Sequence, residues 1–268
     1  MDTLTRKPWR VIIEDAPRSG AWNMAVDRAI MEFAGNHKVP ATLRIYQWRP
    51  PAVSIGKNQP GDVLYKEKMR IDGVSAVRRP TGGWAIFHTD ELTYSVAAHS
   101  DEPALAGALM TAYVRISAAL IAGLKHLGLN AQQAPQPKAE QKQDLVACFA
   151  VPYNNELTVD GKKLMGSAQA RPLRKLLQHG SLPLTGDVGR AADYLMFTHE
   201  MEREKLRDHL RAHAATASEC AGREITFEEA AAAMIQGFSE ALPIELIQSS
   251  LSDEEIQYAQ GILPTTSV

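Results

Sequence analysis

The sequence predicts an α+β fold with mixed, largely antiparallel sheets flanked by helices. Short β-like runs, separated by Gly and Pro, recur over residues 9–98 and return over residues 155–184. One long helical pattern separates these two groups, and helical patterns dominate again from Thr198 onward. Neighbouring strands joined by short turns pair antiparallel, which gives the α+β class.

The first elements are a strand, a helix and two more strands. Residues 9–14 (WRVIIE) form a β-rich run, and residues 21–33 repeat apolar side chains at roughly helical spacing. Residues 42–48 alternate along the chain, and two prolines separate them from the apolar residues 52–55. We interpret the last two runs as strands joined by a turn.

More strands and the longest helix follow. Three β-like runs lie within residues 74–98, broken at residues 80–83 and 89–90. Residues 109–127 carry one apolar helical face, and Gly128 is placed as a stop. The face consists of Leu109, Tyr113, Ile116, Leu120, Leu124 and Leu127. We expect this helix to pack on the sheet.

The second half begins with a loop and a hairpin. Residues 131–143 contain two prolines and almost no apolar side chains, which is typical of a mobile surface loop. Residues 155–171 surround Asp160-Gly161, a strong turn pattern, and therefore predict a hairpin. Residues 176–184 predict another strand.

The end of the chain is predicted to be helical. Two Ser/Thr-x-x-Glu patterns mark helix starts of the capping-box type. They are Thr226-x-x-Glu229 and Ser252-x-x-Glu255. We interpret residues 1–268 as a single domain whose residues 198–268 form a short helical C-terminal part.

Composition narrows the function classes. The 268 residues are 45% apolar, carry a formal net charge of -2, and contain only Cys148 and Cys220, far apart in sequence. This balance gives no reason to expect nucleic acid as a partner, and two distant cysteines predict no metal or redox pair. No apolar run approaches the roughly 20 residues of a membrane span, and the start lacks a secretory pattern. We expect a cytoplasmic protein with no membrane partner.

The first candidate site is an arginine-glycine segment, since standard phosphate-loop, dinucleotide, zincin and nucleophile-elbow motifs do not occur. Arg78-Arg79 precede Gly82-Gly83, which lead into a strand ending at His88. Gly-Gly lets backbone N–H groups approach a ligand, and arginines suit a phosphate or carboxylate. A plain turn explains the glycine pair equally well.

The second candidate site is a lysine hairpin. Lys162 and Lys163 point to opposite faces of a strand, so one of them faces inward. The small residues Gly166-Ser167-Ala168 leave space for a ligand chain beside this strand, and His179 follows about ten residues later. The alternative is a pair of solvated turn lysines next to Asp-Gly.

The third candidate is Cys148, in an apolar run. Most such cysteines are inert buried thiols. If Lys163 approached closely, its charge would favour the thiolate, which attacks thioesters, and would polarise an acyl carbonyl. Cys220 has no motif around it.

Together these elements resemble the lipoate-protein ligase A and octanoyltransferase superfamily, whose fold is related to that of biotin-protein ligases. The resemblance covers most of the chain, and its most specific motifs are Arg-Arg-x-x-Gly-Gly with His88 and Gly-x-Lys163-x-x-Gly-Ser-Ala-Gln. Further matches are Asn23-Met24-Ala25-Val26-Asp27, Arg44-Ile45-Tyr46-x-Trp48 and Ser54-Ile55-Gly56-x-x-Gln59. Many relatives have Gly or Arg where this chain has Trp84.

The nearest resemblance is to LipM-type octanoyltransferases, because Cys148-Phe149 precede the lysine motif and Gln178-His179-Gly180-Ser181 follow it. It implies that Cys148 is the nucleophile and that Lys163 acts at the acyl carbonyl. It also implies an acyl pocket lined by Arg79, Gly82, Gly83, His88, Gly166, Ser167, Ala168 and His179.

The implied reaction needs no cofactor and no metal. The acyl donor is octanoyl-acyl-carrier protein, and the acceptor is a lysine of a lipoyl domain, in the glycine-cleavage H protein or a 2-oxoacid dehydrogenase E2 subunit. Three alternatives remain open from sequence: an ATP-dependent lipoate ligase, an amidotransferase between carrier proteins, and a non-catalytic module that binds acyl carriers.

Overall fold

A computed structural model describes residues 6–134 and 156–268 as two sheets with helices packed around them. Eight strands form the main sheet in the order β11-β1-β2-β6-β10-β9-β8-β7, and the order β4-β3-β5 forms the small one. The strands are β1 Lys7–Ile13, β2 Thr42–Tyr46, β3 Ala52–Ile55, β4 Ser75–Arg78, β5 Ile86–His88, β6 Glu91–His99, β7 Gln132–Gln133, β8 Leu157–Val159, β9 Lys162–Ala170, β10 Lys175–Pro183 and β11 Ile244–Gln248. The helices are α1 Gly20–Gly35, α2 Lys66–Asp72, α3 Leu109–His126, α4 Glu200–His213, α5 Ala217–Ala221, α6 Phe227–Ala241 and α7 Asp253–Ile262.

The main sheet is mixed, as predicted. Strand β1 runs parallel to β2 and to β11, whereas β2, β6, β10, β9 and β8 pair antiparallel in succession. The predicted hairpin joins β8 to β9, with Asp160 at φ 49° and Gly161 at φ 79°. Two successive residues of positive φ make the tight turn that asparagine, aspartate and glycine favour.

Helices cover both faces of this sheet. On one face, α1 packs against β6 and β10 and is joined by α7. On the other face, α3 and α6 cross at Gly123 and Gly237, where a Cβ added to Gly237 would lie 2.2 Å from the Gly123 nitrogen. Glycine at this point lets the two backbones touch, so α3 packs closely against α6.

Three elements differ from the sequence-based expectation. Helix α2 and the short strand β7 had no predicted counterpart, and the segment after Thr198, predicted to be helical, also contains β11. Strand β11 is a five-residue sheet edge in which Ile247 and Gln248 are both exposed, so its apolar alternation is too short to stand out in the sequence. Its partner β1 lies at the other end of the chain, which no local pattern reveals.

Both predicted helix caps are present: α7 begins with a complete capping box, and α6 has only the Thr226 half of one. Ser252 accepts from the Glu255 backbone N–H and Glu255 reaches back to the Ser252 N–H, as a capping box requires. At α6, Thr226 caps the Glu229 N–H, while the Glu229 carboxylate pairs with Arg223. Among the described helices, none is long and apolar enough to cross a membrane.

Candidate active site

A cavity of about 400 Å³ lies between the small sheet and strands β9 and β10. Its wall is mostly apolar, with polar side chains converging from several strands. All eight residues predicted to line an acyl pocket contribute to it. They are Arg79, Gly82, Gly83, His88, Gly166, Ser167, Ala168 and His179. Its other lining residues are Met24, Tyr46, Trp48, Ser54, Trp84, Ile86, Thr93, Glu156, Gln169, Gly180 and Ser181.

The Gly-Gly segment is a turn held in place by the arginine before it. Arg79 is buried, and its Nη1 donates to the Ser54 carbonyl oxygen at 3.0 Å. Its Nε and Nη2 donate to the Gly82 carbonyl oxygen at 3.1 and 2.8 Å, and Nη2 also reaches the Trp84 carbonyl at 2.7 Å. The guanidinium group therefore shapes the loop that forms one wall of the cavity.

Glycine is required where this loop approaches its neighbour. Gly83 has φ 95°, a conformation that L side chains rarely adopt. A Cβ added to Gly56 would lie 2.1 Å from the Gly83 carbonyl oxygen, so the two segments pack backbone to backbone. Gly82-Gly83 therefore form a turn, as one interpretation of the sequence expects, and the same turn forms part of the cavity wall.

His88 belongs to a closed chain of hydrogen bonds. Its Nδ1 lies 2.7 Å from Glu91 Oε1, and its Nε2 lies 2.7 Å from Ser54 Oγ. A carboxylate only accepts, so we assign the proton to Nδ1, and Nε2 accepts from Ser54 when the ring is neutral. The ring stacks on Trp48 at 3.9 Å, and Glu91 also accepts from Ser181.

His179 belongs to a second chain that ends on Asp27. His179 Nδ1 lies 3.0 Å from Asp27 Oδ2, and its Nε2 lies 2.6 Å from Thr81 Oγ1. Asp27 also accepts from Tyr46 Oη at 2.9 Å and from Arg44 Nη1 at 2.9 Å. The early Asn-Met-Ala-x-Asp helix thus supplies the carboxylate that orients His179.

The electrostatics of this chain keep the histidine neutral and the aspartate ionised. Burial lowers the pKa of His179, outweighing the hydrogen bond and charge of Asp27, which act in the opposite sense. Burial alone would raise the pKa of Asp27, but the hydrogen bond from His179 and the charge of Arg44 hold it below its usual value. Burial also raises the pKa of Tyr94, which lies behind Ser167, to about 12.

The two hairpin lysines have different environments, as strand alternation predicts. Lys162 is exposed, whereas Lys163 is 1% exposed and its Nζ forms an ion pair with Glu156 Oε1. A Cβ added to Gly166 would lie 3.4 Å from Lys163 Nζ, which locates the ammonium group beside the small-residue run. A buried ammonium group next to a cavity is suited to stabilise negative charge that develops on a substrate.

Sequence reasoning missed Glu156 and Asp27 as parts of this site. Glu156 lies just before β8 and diagonally across the hairpin from Lys163, whose register partner is Thr158. The diagonal neighbours of a hairpin were the signal that could have paired them. Cys148, the predicted nucleophile, lies outside the described residues. The described part of the chain therefore contains its predicted partner Lys163 and the predicted pocket.

Solved structures of the same architecture are lipoate ligases. A bi-partite lipoate protein ligase of Thermoplasma acidophilum superposes with a TM-score of 0.78 at 23% identity, covering 97% of this chain and 92% of the other. A lipoate-protein ligase A bound with ATP gives a TM-score of 0.75 at 21% identity, covering 97% and 94%. The fold class is thereby confirmed as that of lipoate-protein ligases.

Sequence comparison gives the family. Residues 19–239 match the lipoyl protein ligase A/B catalytic domain, and this chain belongs to that family. Octanoyltransferase LipM of Brevibacillus brevis is 39% identical over 263 residues, or 96% of this chain and 95% of that protein. Octanoyltransferase LipM of Bacillus subtilis is 32% identical over 269 residues, or 98% and 96%. The prediction of an acyltransferase that acts in protein lipoylation is confirmed.

Proposed function

We propose that this protein moves an octanoyl group from octanoyl-acyl-carrier protein to Cys148, and then to a lysine of a lipoyl domain. The observation that carries the proposal is a buried ammonium group, Lys163, beside a mostly apolar cavity of about 400 Å³. The apolar wall suits the acyl chain, and the ammonium group suits the carbonyl end. Full-length likeness to octanoyltransferases supports the choice of acyl group.

The proposed first half-reaction loads the enzyme. The Cys148 thiolate attacks the donor thioester carbonyl, a new C–S bond forms, and the carrier leaves as a thiolate that takes up a proton. Negative charge develops on the carbonyl oxygen during this step, and the Lys163 ammonium group donates a hydrogen bond to it. The Glu156 carboxylate holds the ammonium group in place.

The proposed second half-reaction unloads the enzyme onto the acceptor. The neutral amine of the acceptor lysine attacks the Cys148 thioester, the C–N bond forms, the C–S bond breaks and the Cys148 thiolate returns. The amine proton leaves to solvent. Both half-reactions start from a thioester, which is already activated, so neither ATP nor a cofactor is required.

The proposed acceptor is the glycine-cleavage H protein or an E2 subunit of a 2-oxoacid dehydrogenase, with the reaction in the cytoplasm. The Thermoplasma acidophilum structure concerns a ligase and its E2 lipoyl domain, which supports a lipoyl domain as the kind of partner. The acyl-carrier donor follows from the transferase class of the sequence relatives.

Intact-protein mass spectrometry tests the proposal. The wild type is incubated with octanoyl-acyl-carrier protein without ATP, beside Cys148→Ala and, as a matched control, Cys220→Ala. Cys220 is half-buried, and burial raises the pKa of its thiol, which makes it a poor nucleophile. We expect one octanoyl adduct on the wild type and on Cys220→Ala, and none on Cys148→Ala.

Three outcomes would contradict the proposal. An adduct that persists in Cys148→Ala would assign the nucleophile elsewhere. No adduct on the wild type, together with acylation of a lipoyl domain only after ATP and lipoate are added, would make the protein a ligase. Transfer between two lipoyl domains without acyl-carrier protein would make it an amidotransferase.

A further inference from the structure

Along the cavity, strand β9 has an edge that no strand of the described residues covers, where the Ser167 carbonyl oxygen accepts a hydrogen bond from Tyr113 Oη at 3.2 Å. The first part of β9 pairs with β8 as far as Met165, whereas Gly166 to Ala170 pair only with β10 within the described ranges. Residues 167–170 are partly exposed. An open strand edge presents backbone N–H and C=O groups to an extended ligand.

Gln169 lies on this part of β9 and lines the cavity. Its Nε2 donates to Gln178 Oε1 at 2.8 Å. Its Oε1 is shielded from solvent and has no hydrogen-bond partner in residues 6–134 and 156–268. A shielded carbonyl oxygen without a donor is uncommon in native proteins, and an amide N–H of a ligand would satisfy it.

Arg171 follows two positions later and has two shielded nitrogens without hydrogen-bond partners in the described residues. Its Nη1 donates to the Gly107 carbonyl oxygen at 2.8 Å, which anchors the side chain. Its Nε and Nη2 are shielded from solvent and lack partners in the described part of the chain, where no carboxylate pairs with it either. Burial without a counter-ion lowers the pKa of Arg171.

The two unpaired nitrogens are those that bind an oxyanion. The Nε–H and Nη2–H groups form one edge of the guanidinium fork, and such an edge accepts two oxygens of a phosphate or carboxylate side by side. The neighbouring first turn of α3 has no acidic side chain, and its N-cap, Ala108, supplies no side-chain cap. Both features favour a negative charge at this point.

Arg79, one of the two arginines that the sequence offers for a phosphate or carboxylate, lines the cavity and donates to its own loop. Its guanidinium donates to the carbonyls of Ser54, Gly82 and Trp84, and so closes its own loop. Arg171 instead offers a complete fork edge. Arg171, directly after β9, is therefore the arginine with donors left for the anionic part of a ligand among the residues compared.

The spacing along β9 defines what the ligand must look like. Gly166, beside the Lys163 ammonium group, is separated from Arg171 by five steps of extended chain, about 17 Å at the usual rise of a strand. A matching ligand has an acyl thioester at one end, amides in the middle and a phosphate at the other end. A phosphopantetheine arm has this order of groups and comparable length.

We propose that Arg171 binds the phosphate of the donor's phosphopantetheine arm, whose amides run along the open edge of β9 past Gln169. The inference rests on the proposed function, because it identifies where the thioester donor of that reaction is held. It makes Arg171 a residue that selects phosphorylated donors and takes no part in the bond-making steps.

The test compares two donors that differ only in the phosphate. S-octanoyl-phosphopantetheine and S-octanoyl-pantetheine are incubated with the wild type, Arg171→Gln and the matched control Arg174→Gln, and the rate of enzyme acylation is followed by intact mass. Arg174 lies on the same loop with its side chain 72% exposed. We expect Arg171→Gln to lose about 10-fold to 100-fold in rate with the phosphorylated donor only, the usual effect of a charged hydrogen-bonded pair.

The outcomes separate this inference from the proposed function. An equal loss with both donors, or no loss with either, overturns the role of Arg171. Should the wild type accept only the full carrier protein, the comparison is made with phosphopantetheine and pantetheine as inhibitors. Arg171→Gln must then abolish the advantage of phosphopantetheine. A wild type that no thioester donor acylates contradicts the proposed function itself.

Discussion

The wall of the cavity formed by α1, β2, β6 and β10 holds its polar groups in closed chains, whereas the β9 wall does not. Asp27 accepts hydrogen bonds from four side chains and Glu91 from three. Lys163 on β9 pairs with Glu156, while Gln169 on β9 and Arg171 directly after it keep shielded atoms without partners in the described ranges.

Buried polar groups have different roles in the two walls. A fully satisfied network fixes one arrangement of the side chains, so the first wall gives the cavity its shape. A ligand can complete a wall with unsatisfied groups, which is why we assign recognition of the donor arm to β9 and to Arg171 directly after it.

The largest effect should come from Lys163→Met, which removes the charge from the β9 wall. We expect kcat to fall about 100-fold to 1000-fold, the usual effect of losing one donor to a developing oxyanion. Octanoyl transfer to a lipoyl domain under steady-state conditions measures it. The matched control is Lys162→Met, because Lys162 is exposed on the opposite face. Activity of Lys163→Met within threefold of wild type (roughly 0.7 kcal/mol) would refute the catalytic role of this lysine.

A smaller effect should appear in the pH dependence of stability and test the other wall. The pKa of His179 is lower in the folded protein than in the unfolded chain. As the pH falls, the unfolded chain therefore binds a proton at His179 before the folded protein does. The contribution of His179 to stability is complete above the unfolded pKa, about 6.5, and is lost as pH falls below it, by at most about 1.4 kcal/mol per pH unit.

Urea unfolding of the wild type and His179→Gln between pH 7.5 and 5.5 measures this contribution. We expect the wild type to lose more free energy of unfolding than the variant over that interval. Titration of the remaining histidines is common to both proteins and cancels in the difference. Parallel profiles would show that the chain ending on Asp27 does not keep His179 neutral.

The smallest effect should come from Trp84→Ala on the glycine loop. The Trp84 side chain is 38% exposed, and the loop is anchored through the backbone carbonyl that Arg79 contacts. We expect the free energy of unfolding to change by less than about 0.5 kcal/mol, as for other surface positions. KM for the octanoyl donor should rise severalfold at constant kcat. A large loss of stability would show that the indole itself supports the loop.

Local patterns were sufficient to predict much of this molecule. The β8–β9 hairpin followed from Asp160-Gly161, and its alternation correctly separated an inward lysine from an outward one. All eight residues that the motif segments assigned to the pocket, His88 and His179 among them, are among the residues that line the cavity. Turn chemistry and strand alternation act over a few residues, so they can be recognised without a structure.

Long-range pairing was beyond the same reasoning. The partnership of Asp27 with His179 joins residues 152 positions apart, and nothing in either neighbourhood specifies the other. Arg79 was predicted to line the pocket and lines the cavity, but its hydrogen bonds to loop carbonyls could not be predicted, and Arg171 lies in no motif that the sequence indicated. Whether the N–H groups of an arginine are already hydrogen-bonded depends on neighbours that only the folded chain brings together.

The pairing of β1 with β11 has a consequence for how this protein is made. Their parallel register sets Lys7 beside Ile244, so a strand from the start of the chain acquires its outer neighbour about 240 residues later. During synthesis, β1 has β2 on one side and an uncovered edge on the other until β11 leaves the ribosome. Uncovered edges attract other strands, so the nascent chain is most prone to aggregation in this interval. Stalled or truncated products that end before residue 244 should then be the ones that depend most on chaperones.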